Sequence, residues 1–92
     1  MRLVLAYDVT SDRRRARFHK RLKEVMIPVQ MSVFEGNAGK KEQAAAEALI
    51  VDELDLDCDA ARIYVLCDAC ERRMRVFGVA APLSSDEAAK IF

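Results

Sequence analysis

Apolar and polar positions along residues 2–9, RLVLAYDV, follow a strand pattern with Leu3, Leu5, Tyr7 and Val9 on one face. Val4 and Ala6 make the other face apolar too, which predicts a central strand covered on both sides. From Arg13 to Val25 the period becomes helical, with Phe18, Leu22, Val25 and Met26 forming a stripe at spacings of three and four. One of Thr10, Ser11 and Asp12 supplies the N-cap. The helix ends before Pro28, because a residue preceding proline disfavours α geometry. Alternation returns over 29–35 as one strand, with Val29, Met31 and Val33 opposite Gln30, Ser32 and Phe34. Gly36, Asn37 and Gly39 make a turn. A second helix over Lys40–Leu54 turns Ala46, Leu49, Ile50 and Leu54 inward. An acidic connector, 55–60, leads to strands at 62–67 and 74–79. The tail, 83–92, is read as an edge strand or a mobile end.

This order, β-α-β-α-β-β, predicts an α/β chain of the α+β type, with both helices on one face of the sheet. The domain covers residues 1–82. Val4, Ala6, Tyr64, Leu66, Phe77 and Val79 are left on the uncovered face. An open apolar face marks an interface, so the expected assembly is a two-fold homodimer, sheet to sheet. A ferredoxin-like sheet needs a hairpin between its helices, and 28–39 is short for two strands.

Composition narrows the class. Ninety-two residues allow one domain, and 52% apolar content with three Gly and two Pro is globular. No apolar run is long enough to cross a bilayer, and no signal peptide is visible, so the expected partners exclude membrane and the expected location is cytoplasmic. Three cysteines cannot complete a disulfide framework. Fifteen basic groups cancel fifteen acidic ones, which at face value argues against nucleic acid. Divided along the chain, the balance dissolves: residues 1–41 carry net +6, residues 42–71 net −8 and residues 72–92 net +2. This predicts two opposed patches, basic and acidic.

Four features carry candidate chemistry. Asp8 ends the first strand on the same face as Val4 and Ala6, near the expected dimer axis. Two facing carboxylates with several waters suit Mg²⁺; a turn or cap role for Asp8 is the alternative. Arg13, Arg14, Arg15, Arg17, Lys20, Arg21 and Lys23 form a basic helix opposed locally by Asp12 and Glu24 only. Such a helix suits phosphate backbone; a solvated helix face is the alternative. His19 lies among them as a general acid or base, or as an inert exposed group. Cys67 and Cys70 make a CxxC, but zinc needs two more ligands and Cys58 supplies one; redox and incidental readings stay open. The stretch Asp52–Asp59 faces a cation or basic partner, or is a solvated connector.

Three segments then resemble a known family: LVLAYDVTSDRRRARFHKRLK at the start, PVQMSVFEG in the middle, and ARIYVLCDAC followed by RVFG. Over roughly residues 1–79 they are similar to the small CRISPR-associated "Cas-two" family of spacer acquisition. The resemblance implies a ferredoxin-like homodimer that bridges dimers of the CRISPR "Cas-one" integrase and holds duplex DNA. Some members are reported as Mg²⁺-dependent endonucleases on single-stranded RNA or double-stranded DNA. In those, the aspartate ending the first strand is the metal ligand and catalytic residue, and Asp8 stands there. Tyr7, Ser32 and Phe34 match supporting motif positions, and Arg13, Arg14, Arg15 and Arg17 match the basic residues opening the first helix. Pro28 stands where the motif often has Arg. Two other classes remain in contention: a stand-alone metal-dependent ribonuclease of toxin type, and a dimeric regulatory domain without nucleic acid.

Overall fold

The structure is a computed structural model and describes residues 1–78. Its elements are β1 (Arg2–Asp8), α1 (Asp12–Leu22), β2 (Ile27–Gln30), β3 (Val33–Asn37), α2 (Lys40–Glu53), β4 (Ala60–Leu66) and α3 (Asp68–Arg72). The sheet order is β2-β3-β1-β4, and every neighbouring pair is antiparallel. This is a ferredoxin-like sheet. Strand β1 is central, as its two apolar faces require.

The single strand expected over 29–35 is two strands. Gln30 pairs with Val33, leaving Met31 and Ser32 as a two-residue loop. Ser32 takes φ 64°, the left-handed conformation that tight hairpin loops demand. This costs a non-glycine residue about 1 kcal/mol. The Ser32 carbonyl accepts from the Tyr7 N–H at 3.1 Å, which ties the loop to β1. The alternating pattern runs through the loop without an Asn-Gly or Asp-Gly signal, and this concealed the turn. Pro28 lies in β2, an edge strand, where a missing N–H is tolerated.

Helix α1 stops at Leu22 rather than Val25. Ser11 caps it, its Oγ accepting from the Arg14 N–H at 3.2 Å. Beyond Leu22 the chain turns, so Met26 reaches the core while Val25 stays exposed. Leu3, Leu5, Phe18, Leu22 and Phe34 are fully buried between sheet and helices, together with Ala46 of α2. Each such large side chain contributes about 1.5–3 kcal/mol by leaving water.

The strand expected at 74–79 is not present over 74–78, and α3 follows β4 instead. The four strands of the sheet are completed instead by the β2–β3 hairpin. Val79 and the tail 83–92 lie outside the described residues. On the uncovered face, cross-strand register sets Val4 against Glu35 and Tyr64, Ala6 against Val33 and Arg62, and Asp8 against Ala60. Val4, Ala6, Tyr64 and Leu66 therefore share that face as expected, whereas Phe77 belongs to no strand. No helix among the described residues is long and apolar enough to cross a membrane.

Candidate functional site

Asp8 is the last residue of β1, on the open face, and its side chain is exposed. Among the described residues its carboxylate has no hydrogen-bond or ion-pair partner. It lines a shallow depression with Ala6, Tyr7, Ala60, Ala61 and Arg62. Alternation sends Tyr7 the other way, beneath the helices, where it is buried. The two motif neighbours thus serve opposite faces of one strand.

Tyr7, Ser32 and Phe34 are brought together. The Tyr7 ring meets Phe18 edge-on at 5.1 Å and lies 6.2 Å from Phe34. Burial raises the Tyr7 phenol above its ordinary value, opposed by a hydrogen bond with Ser32 and the charge of Arg15. His19 joins this cluster: its Nδ1 is 3.2 Å from the Tyr7 hydroxyl, and its ring is edge-on to Phe34 at 5.0 Å. His19 is therefore half-buried and partnered, not an exposed bystander. Its position in α1, one residue after buried Phe18, was the available signal.

The charge pattern requires the largest correction. The acidic stretch does not face away from the basic helix. Arg14 donates from Nε to Asp59 Oδ2 at 2.9 Å. Arg17 pairs with Glu53. Arg21 donates to Glu53 Oε1 at 2.8 Å and to Asp52 Oδ2 at 3.1 Å. Ascending residues of α1 meet descending residues of α2 and its connector, as antiparallel packing dictates. Arg15 is held by Asp12 and by the Val9 carbonyl at 2.7 Å. The self-repulsion of a +5 helix is thus offset inside the chain. Arg13, Lys20 and Lys23 are exposed and have no ion-pair partner among the described residues.

Asp59 is the centre of this lock. Its carboxylate is buried and receives six donors: the Thr10 N–H and hydroxyl, Arg14 Nε and Nη2, the Asp55 N–H and, at 3.7 Å, the Cys58 thiol. The Arg14 guanidinium, helped by the Thr10 and Asp55 groups, holds its carboxyl well below the usual carboxylate range. The lock fixes the loop that follows Asp8. Its sequence signal was weak, because Asp59 is one of several acidic residues in a polar connector.

At the far end of β1, Arg2 is buried on the sheet's open face between Glu71 of α3, at 2.9 Å, and Glu35 of β3, at 3.3 Å. A lone arginine inside an apolar strand run was its signal. The cysteines do not form a common ligand set: among the described residues, no three His, Cys, Asp or Glu side chains are grouped for a metal. Asp8 offers a carboxylate that has no partner among the described residues, and Mg²⁺ accepts one or two carboxylates with several waters. The donor set fits Mg²⁺ if a second copy presents its own Asp8.

Known proteins share this fold. Residues 1–74 match the family model of the CRISPR associated protein Cas2. The chain is 30% identical over 82 residues to the CRISPR-associated endoribonuclease Cas2 2 of Methanospirillum hungatei, covering 89% of this chain and 91% of that one. Among solved structures, a hypothetical protein of Thermus thermophilus, TT1823, superposes with a TM-score of 0.76 at 33% identity, over 89% of this chain and 94% of that one. Streptococcus pyogenes Cas2 at pH 6.5 superposes with a TM-score of 0.71 at 25% identity, over 85% and 100%. The strand-end aspartate, the basic helix and the ferredoxin-like sheet thus occur in a chain that belongs to the Cas2 family of CRISPR-associated proteins.

Proposed function

We propose that the protein acts in spacer acquisition as a dimeric adaptor that holds duplex DNA for a Cas1-type integrase. The open sheet face is the observation that carries this reading. Val4, Ala6, Tyr64 and Leu66 lie there, on the face opposite the one that α1 and α2 cover, and a sheet-to-sheet homodimer would cover them. Two copies would double every charged surface. The free cations Arg13 and Lys20 are the first phosphate contacts in this reading, with Lys23 beside them. Arg14, Arg15, Arg17 and Arg21 reach phosphate only by exchanging or sharing a carboxylate.

Asp8 supports a second activity. In a dimer, paired Asp8 carboxylates would hold Mg²⁺, and that cation would activate water and neutralise phosphoryl charge in phosphodiester cleavage. The relative from Methanospirillum hungatei is named an endoribonuclease, so single-stranded RNA is a substrate to test beside duplex DNA.

The deciding experiment combines the full chain, a Cas1-type integrase, a short duplex and a repeat-bearing target, with wild type and Asp8→Ala in parallel. Insertion by both proteins supports the adaptor. Failure of wild type to form a complex or to support insertion overturns it. In the same preparations, Mg²⁺-dependent cleavage lost in Asp8→Ala supports the nuclease activity. Equal cleavage by both rules Asp8 out of it.

A further inference from the structure

The adaptor reading leaves the Cys67-Asp68-Ala69-Cys70 segment without a role. Both cysteines are exposed and free, so neither fills the core. They are one turn apart and face each other. Cys67 Sγ accepts from the Cys70 N–H at 3.4 Å. We propose that Cys67 and Cys70 form a reversible intramolecular disulfide by exchange with small-molecule disulfides of the glutathione class.

Geometry supplies the main argument. Disulfides need Cα atoms about 4.4–6.8 Å apart, and residues three apart at the opening of a helical turn lie within that range. Closure therefore needs side-chain rotation and little backbone movement. The two sulfurs are also chemically unequal. The Cys70 N–H and the Cys70 thiol, with the Ala69 N–H, push the Cys67 thiol down, while the contact with Cys67 pushes Cys70 up. Cys67 is thus the attacking thiolate and Cys70 the resolving thiol. An exposed disulfide of this kind is labile and exchangeable, unlike a buried structural one.

The exchange balances. The Cys67 thiolate attacks one sulfur of oxidised glutathione, forming a mixed disulfide and expelling one glutathione thiolate. Cys70, losing its proton, attacks Cys67 Sγ and expels the second. Two protein thiols become one disulfide, and one glutathione disulfide becomes two thiols carrying the two protons released.

The pair sits where its state is felt. Asp68, between the cysteines, binds the Met1 amino group at 2.7 Å, and Glu71, next to Cys70, binds buried Arg2. Cys58 is elsewhere, beside Arg14 and Thr10, and serves as an internal control.

The test equilibrates the full chain in graded ratios of reduced to oxidised glutathione, quenches with an alkylating reagent, and maps the cysteines by mass. The expected result is joint loss of Cys67 and Cys70 alkylation in one transition, with no retained glutathione and with Cys58 unaffected. Cys58→Ser should behave as wild type. Cys67→Ser and Cys70→Ser should trap a glutathione adduct on the remaining cysteine, more slowly in Cys67→Ser. Serine keeps the side-chain acceptor at position 67, so folding is preserved. Independent modification of the two cysteines, or a disulfide formed only between copies, overturns the proposal.

Discussion

Two aspartates lie at the same end of the β1–β4 pair, and their situations are opposite. Asp8 faces Ala60 across the ladder, and Asp59 directly precedes Ala60. Asp59 is buried and receives six donors. Asp8 is exposed and has no partner among the described residues. A carboxylate with every lone pair occupied holds structure; one with none occupied is available to a cation or substrate. Counting charges along the chain does not separate the two cases. The arginine run looked like the functional surface, yet four of its members are engaged by carboxylates of the same chain.

The largest expected effect comes from weakening the occupied carboxylate. Asp59→Asn removes the charge facing Arg14 and leaves buried donors unmatched. A fall in melting temperature on the order of 10–20 °C is expected for a domain of this size. Calorimetry of the variant beside Asp8→Asn would check it; equal melting temperatures would erase the contrast between the two sites.

Acid probes the same node. The folded pKa of Asp59 lies below its unfolded value of about 3.9. Its contribution is therefore complete above that unfolded value and is lost as pH falls through it toward the folded pKa. Glu53 is shifted in the same direction by Arg17 and Arg21. Urea midpoints of wild type should drop steeply below about pH 4, and those of Asp59→Asn should drop less.

The fold was largely legible because burial writes a period into the chain. Leu3, Leu5 and Tyr7 mark one face of β1, and Phe18, Leu22 and Met26 mark the inward side of the first α/β unit. The hairpin was not legible, because Ser32 adopts its left-handed conformation without the residue type that announces one. The strand read at 74–79 is absent over 74–78 for the converse reason: alternation shows which face a strand would bury, not whether a neighbour exists to pair with it. Asp8 was legible from its place at a strand end. The pairing of Arg17 and Arg21 with Glu53 was not, because it depends on how α1 and α2 pack across 31–36 residues of separation.

Charge availability predicts a graded response to duplex DNA. Replacing Arg13, Lys20 and Lys23 with alanine should flatten the slope of log affinity against log salt by about three contacts per chain, at roughly 0.9 each. Replacing Arg17 and Arg21 should flatten it less, since Glu53 and Asp52 already hold them. The reverse order in a filter-binding salt titration would show that the intramolecular pairs open on DNA. Glu53→Gln should lower the melting temperature less than Asp59→Asn, because its partners Arg17 and Arg21 are exposed to solvent and the amide oxygen still accepts from them. Its duplex affinity at low salt should rise a few-fold as a competing negative charge is removed.

The smallest expected effect on the fold, and the sharpest on the comparison, belongs to Asp8→Asn. The substitution keeps size and strand position and removes a charge that no described residue meets. Stability without metal should stay within about 0.5 kcal/mol of wild type. In the proposed dimer, a cation held by Asp8 would bind the folded protein and not the unfolded chain, and would raise the melting temperature in proportion to the logarithm of its concentration. Millimolar Mg²⁺ should therefore stabilise wild type and leave Asp8→Asn unmoved, in thermal scans that need no nucleic acid and no cleavage. If both shift equally, the ion binds elsewhere. If Asp8→Asn alone melts lower without metal, Asp8 is a structural cap, and the two aspartates differ in degree rather than in kind.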